Sequence, residues 1–187
     1  MIIETKAFNQ LIFDAFTRKI NWLEASSRYP VVDFFDTFLS TRAALRRLLN
    51  NLTDAQASYH EPGATTWSIS ETVTHLVFTQ NSFYNAMLDI TSTELPHIAE
   101  AARGFGEGSK LGVATEALKR ALDDATQRIE AAFPLTLALN DPNKIVRNPL
   151  FGELNFSAWV LLLAGHEGDH YRQAAVIRRL ARAALPG

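Results

Sequence analysis

The stretch Gly165-His166-Glu167-Gly168-Asp169-His170-Tyr171-Arg172-Gln173 decides how the rest of this chain is read. Its two histidines stand four positions apart inside a long apolar-periodic segment. Phe156, Trp159, Leu163, His166, His170, Ala174 and Ile177 recur on one helical stripe. On an α-helix, residues i and i+4 share a face, so both imidazoles point toward the protein interior, one turn apart. Either the rings are core residues that find hydrogen-bond partners, or they chelate one metal ion, which satisfies two buried polar groups at once.

Outward from that stretch, the spacing predicts a helix from about Asn155 to Ala184. Asn155 is suited to the N-cap, and Arg178, Arg179 and Arg182 oppose the negative end of the helix dipole. The second informative stretch is Trp67-Ser68-Ile69-Ser70-Glu71-Thr72-Val73-Thr74-His75-Leu76. Ser68 followed by Glu71 ahead of an apolar run is a capping box, which starts a helix over about 68–90. Ile69, Val73, Leu76, Phe83 and Met87 form its apolar stripe. Beside that stripe run Thr72, His75, Thr79, Ser82 and Ala86, all small or polar. Such a face either lines a cavity or forms a half-exposed flank.

Three more helices are expected. Phe8, Leu11, Ile12, Ala15, Phe16, Ile20 and Leu23 make a stripe over 7–26, ended by Pro30. Val31, Phe34, Phe35, Phe38, Leu45, Leu48, Leu49 and Leu52 make a second over 31–51. Arg42 interrupts it, as an edge position or a paired charge. Leu111, Ala114, Leu118, Leu122, Ala125, Ile129 and Ala132 make a third over 109–132. Residues 53–66 read as a loop and 91–108 as a long connection. Residues 133–154 read as irregular, with an extended segment at Ile145-Val146-Arg147 for which no sheet partner is evident. The expected architecture is an all-α bundle forming a single domain over 1–187, with the 7–26 helix added at its N-terminal side.

Composition excludes some chemistry. The 187 residues include no Cys, so disulfides, thiolate metal sites and a cysteine nucleophile are out, and any thiol must arrive with a substrate. A net charge of -2 and a pI near 6.2 give no pull toward nucleic acid or anionic membrane. The start has no signal-peptide pattern and no apolar run reaches ~20 residues, so a cytoplasmic protein with no membrane partner is expected.

His166-Glu167-Gly168-Asp169-His170 also matches H-E-x-x-H, in which the glutamate is the general base of a zinc protease. Residues 171–187 hold no His, Asp or Glu to serve as a third ligand there, and peptide-holding strands are not evident upstream. A third ligand must come from earlier in the chain. His60 and His97 fall in expected loops; His75 falls inside a helix, beside the small, polar stripe. If the two helices are neighbours, His75, His166 and His170 meet in mid-bundle as a three-histidine site with an open position, the layout of catalytic zinc. Imidazoles must be neutral to bind, so occupancy is expected to fall below about pH 6. Glu71 either closes the capping box or orients His75. Glu167 and Asp169 either support the ligands from behind or form interhelical ion pairs. Trp67 and Tyr171 line the pocket or are simply core.

The Trp67-Ser…His75-Leu76 segment, Phe151-Gly-Glu-Leu and the late His166-x-x-x-His170-x-x-Gln173 together resemble the DinB-like family, YfiT-type metal-dependent hydrolases among them. The resemblance covers roughly 31–182, the family core, and leaves 7–26 without a clear place, as a cap on the bundle or an aid to a dimer. It implies a four-helix bundle with up-down-down-up topology, a crossover at 91–108, and His75, His166 and His170 as ligands of one divalent ion, zinc or nickel. The expected pocket includes Thr72 and Thr79 of the small, polar stripe together with Trp67, Tyr171 and Gln173. Arg172 stands where the family commonly has glycine. For activity it implies thiol S-transfer or hydrolysis on a small molecule, through a metal-activated thiol or water, with a low-molecular-weight thiol as possible cosubstrate. It suggests a homodimer. The alternative is a non-catalytic metal- or ligand-binding bundle of stress response.

Overall fold

Helix α7 (Phe156–Ala184) is the element on which most of the others pack. The structure, a computed structural model, describes residues 3–98 and 114–186. Before α7 come α1 (Thr5–Phe16), α2 (Trp22–Ser26), α3 (Val31–Leu48), α4 (Asp54–Ala57), α5 (Ile69–Thr91) and α6 (Thr115–Ala138), then the strands β1 (Val146–Asn148) and β2 (Gly152–Leu154).

The long helices α3, α5, α6 and α7 form the bundle. Arg42 of α3 meets Glu167 of α7, and Arg178 and Arg182 of α7 donate to the carbonyls of Asn50 and Asn51 just past the end of α3, so these two run parallel. Helix α5 is antiparallel to α7, because its start meets His170 through Trp67 and its later Phe83 meets Trp159. Helix α6 is antiparallel to α3: Phe35 stacks on Phe133, while Arg46 pairs with Asp123. Helices α5 and α6 therefore run the same way, and the order is up-down-down-up. The connection between the parallel pair must return along the bundle; most of the expected 91–108 crossover lies outside the described residues.

The apolar stripes go where their periodicity points. Phe34, Phe35, Phe38, Phe133, Phe156 and Leu163 share one buried cluster at the α7 N-terminal half. Leu45, Leu49, Val73, Leu76, Leu118, Leu122 and Ile177 share another at the opposite half. Local chemistry sets the ends. Ser68 accepts from Glu71 N, and the Glu71 carboxylate accepts from Ser68 N, closing the expected capping box. Asn155 caps α7 by accepting from Ala158 N at 2.9 Å.

Several details differ from the sequence reading. The expected 7–26 helix is broken: Arg18 takes a left-handed φ of 58° after α1, and Asn21 caps a separate short α2. The 53–66 loop contains α4, held by a Thr53–Gln56 capping box. Helix α6 runs through Pro134 to Ala138 rather than stopping before it. Pro134 is exposed, so water can satisfy the carbonyl that the missing N–H leaves behind. The part of the expected helix at 109–113 lies outside the described residues. The extended segment near Ile145 does find a partner, since β1 pairs with β2 in an antiparallel hairpin that matches Val146 with Leu154. No helix among the described residues is long and apolar enough to cross a membrane.

The N-terminal segment lies on α7. Gly165 has no side chain, and Ile12 fills the space: a Cβ on Gly165 would stand 2.5 Å from Ile12 Cδ1. Phe16, Trp22 and Phe151 then form an edge-to-face aromatic group at the hairpin end.

A candidate three-histidine metal centre

Antiparallel packing of α5 and α7 brings His75 beside His166 and His170. Their ligand nitrogens all lie within 4.8 Å of one another, and His75 Nε2 is 3.0 Å from His166 Nε2. Around a tetrahedral zinc with bonds of 2.0–2.1 Å, nitrogens sit about 3.3 Å apart, so modest rotations would let these rings share one ion. The rings are half-buried. Burial, and then His170, lowers the pKa of His75 from 6.5 to about 4. Burial, then His170, His75 and Arg42, lowers that of His166 to about 3. Both rings stay neutral, with lone pairs to give, well below the pH 6 expected from an ordinary imidazole. The donor set fits a borderline divalent cation such as zinc or nickel, which favours imidazole nitrogen.

The surroundings fix the ring orientations. Trp67 stacks on His170, with centroids 5.7 Å apart and planes 6° apart, and its ring centroid lies 4.8 Å from that of His75. His170 Nδ1 lies 3.0 Å from Gln173 Oε1, while Gln173 Nε2 donates to Asp169 Oδ2 at 2.9 Å. The carboxylate fixes which end of the Gln173 amide faces the ring. With Oε1 toward it, His170 carries its proton on Nδ1 and keeps the Nε2 lone pair for a ligand. Asp169 thus acts on the cluster through Gln173. Thr79 Oγ1 is 3.4 Å from both nitrogens of the His75 ring, and Phe83 packs 5.9 Å from His166, centroid to centroid.

The family model described as the DinB superfamily matches residues 37–174, which span α3 to α7 and all three histidines. The chain belongs to the DinB superfamily. TT2238, described as a four-helix bundle protein in its crystal structure, has a similar fold: 22% identity, TM-score 0.55, covering 78% of this chain and 98% of that one. No curated protein matches the chain.

In this DinB bundle the other candidate residues have separate places. Glu167 is buried and paired with Arg42: Arg42 Nε lies 2.7 Å from Oε1, and Nη2 donates to Oε2 at 2.8 Å. That engagement leaves Glu167 no part as a zinc-protease base. Glu71 closes its capping box and lies 3.3 Å from His60 Nε2. His60, on Glu71, and His97, on Asp89, stand apart from the cluster. Thr72 is buried and donates its hydroxyl to the Ser68 carbonyl. Tyr171 packs against the apolar cluster around Leu45 and Ile177.

The sequence leaves the role of Arg42 open and does not mark Asn9. Arg42 was signalled by a charge on an apolar stripe. Asn9 accepts from Arg172 at 3.0 Å, and no local signal marks it, because the contact joins α1 to α7 across 163 positions.

Proposed function

We propose that this DinB protein binds one divalent metal ion, zinc or nickel, through His75, His166 and His170, and acts as an enzyme on a small molecule by thiol S-transfer or hydrolysis. The observation that carries the reading is the convergence of three imidazoles from two helices, two of them held neutral by burial. When bound, such an ion supplies Lewis acidity, lowering the pKa of water or a thiol toward neutrality and so making a nucleophile available. The chain's own residues do the rest. Gln173 and Asp169 hold the His170 tautomer, Trp67 fixes the ring plane, and the Phe83 ring packs against His166. With no Cys in the chain, the thiol for S-transfer is a low-molecular-weight cosubstrate. We place this activity in the cytoplasm and in a homodimer, for which exposed Leu139 and Leu150 offer apolar surface.

The test loads metal-stripped protein with zinc or nickel. It then follows displacement of chloride from 1-chloro-2,4-dinitrobenzene by an added low-molecular-weight thiol, and hydrolysis of p-nitrophenyl acetate. A metal-dependent rate that disappears in His75→Ala supports the enzyme reading. Metal bound at one equivalent, with no metal-dependent rate in either assay, contradicts it and favours a carrier.

A further inference from the structure

A cleft of about 1090 Å³ opens between α1 and α7 and reaches the cluster at His166. Ordinary small-molecule sites run to roughly 1,000 Å³, so it is large enough for a substrate. The two helices that wall it are antiparallel: Asn9 meets Arg172, Ile12 meets Gly165, and Phe16 meets Phe151. That register gives the cleft two unlike ends. Lys6 and Arg172 stand at one, the exposed rings of Phe13 and Phe16 at the other, and His166 between them.

The charges at the polar end are not equally engaged. Glu4 and Asp169 also line the cleft, but Asp169 already accepts from Gln173 and Arg172. Arg172 spends two N–H groups, on Asn9 and Asp169, among the described residues. A guanidinium has five, so donors remain for a carboxylate. Phe13 and Phe16 are 54% and 49% exposed, with Lys19 Nζ 4.9 Å from the Phe13 ring centroid, and the ring surface left open is what an aromatic ring would cover.

We propose that this cleft is the substrate site and takes a small carboxylic acid with an aryl body. Its carboxylate rests on Arg172 and Lys6, its ring rests against Phe13 and Phe16, and the group between them lies at His166. The reaction at that group rests on the metal-dependent reading above; binding of the acid does not. Because α1 lies outside residues 37–174, Lys6, Phe13 and Phe16 belong to a segment beyond the family match, while Arg172 lies within it.

The test is calorimetric titration of 2-naphthoate and of 2-naphthalenemethanol, which share a ring and differ in charge, into the full chain with and without zinc. The acid should bind one to one, at least about tenfold tighter than the alcohol, in both metal states. Arg172→Ala and, separately, Lys6→Ala should reduce that preference, and Phe13→Ala should weaken both ligands alike. Both charged side chains are exposed, and circular dichroism checks that the variants fold. Equal affinities for acid and alcohol, or a preference that survives both charge-removing substitutions, would overturn the proposal. Metal content measured on the same samples keeps the two readings apart. Acid preference without metal binding sinks only the metal centre, and metal binding without acid preference sinks only the cleft.

Discussion

Arg42 of α3 and Glu167 of α7 form an ion pair whose side chains are 3% and 1% exposed, on the residue next to His166. The Arg42 guanidinium also lies over the Phe38 ring, 5.1 Å from its centroid, and its buried Nη1 has no hydrogen-bond partner among the described residues. The pair locks the register of the two parallel helices where α7 presents its first histidine. A buried pair is costly to break and often neutral to replace. Arg42→Met and Glu167→Gln should each lower unfolding free energy by about 3–5 kcal/mol, and Arg42→Met with Glu167→Leu should recover most of it. Urea denaturation measures this; single substitutions costing less than about 1 kcal/mol would show that the pair does not hold the register.

Gly165 and Ile12 give a second, separable prediction. Gly165→Ala puts a Cβ 2.5 Å from Ile12 Cδ1, and overpacking of that kind costs about 1–3 kcal/mol. The same substitution favours the helix by up to about 1 kcal/mol. Ile12→Val removes the clashing Cδ1, so Gly165→Ala should be destabilising alone and much less so, or stabilising, in the Ile12→Val background. A double-mutant cycle without coupling would mean that α1 is not seated on α7 as described.

The histidine cluster makes stability depend on pH in the metal-stripped protein. Unfolded, both rings titrate near 6.5; folded, His75 titrates near 4 and His166 near 3. Between those values the unfolded chain binds more protons, so the folded state loses stability as pH falls from about 6.5 to about 4 for His75, and on to about 3 for His166. Above pH 6.5 neither ring contributes a slope. Denaturant titrations at stepped pH should show this fall, shallower in His166→Gln. An identical pH profile in that variant would contradict the burial that sets these values.

The sequence made the bundle legible because its long helices carry strong periodic stripes and two of them carry side-chain caps, Ser68 with Glu71 and Asn155. The family pattern matches over α3 to α7, and the three histidines do converge. What escaped was local or long-range. The break at Arg18 uses a left-handed residue that is neither Gly nor Asn, so no punctuation marks it. Pro134 reads as a stop, yet an exposed face lets the helix continue past it. Each strand of the hairpin has three residues, too few for a pattern of two to register. Helix α4 did carry its Thr53–Gln56 signature, and that cue was legible. Glu167, which pairs with Arg42, and Asn9, one of the partners of Arg172, lie more than a hundred positions from them, and only the packed helices disclose these contacts.

The central claim is that His75, His166 and His170 hold one metal ion. Inductively coupled plasma mass spectrometry on protein purified without a histidine tag, as wild type and as His75→Ala, tests it most directly. Near one equivalent of zinc or nickel in wild type, and little in a His75→Ala protein that keeps its helical circular dichroism, is the result predicted. A wild-type protein that carries no metal and binds none when zinc or nickel is added would contradict the claim and leave the three rings as polar packing between α5 and α7.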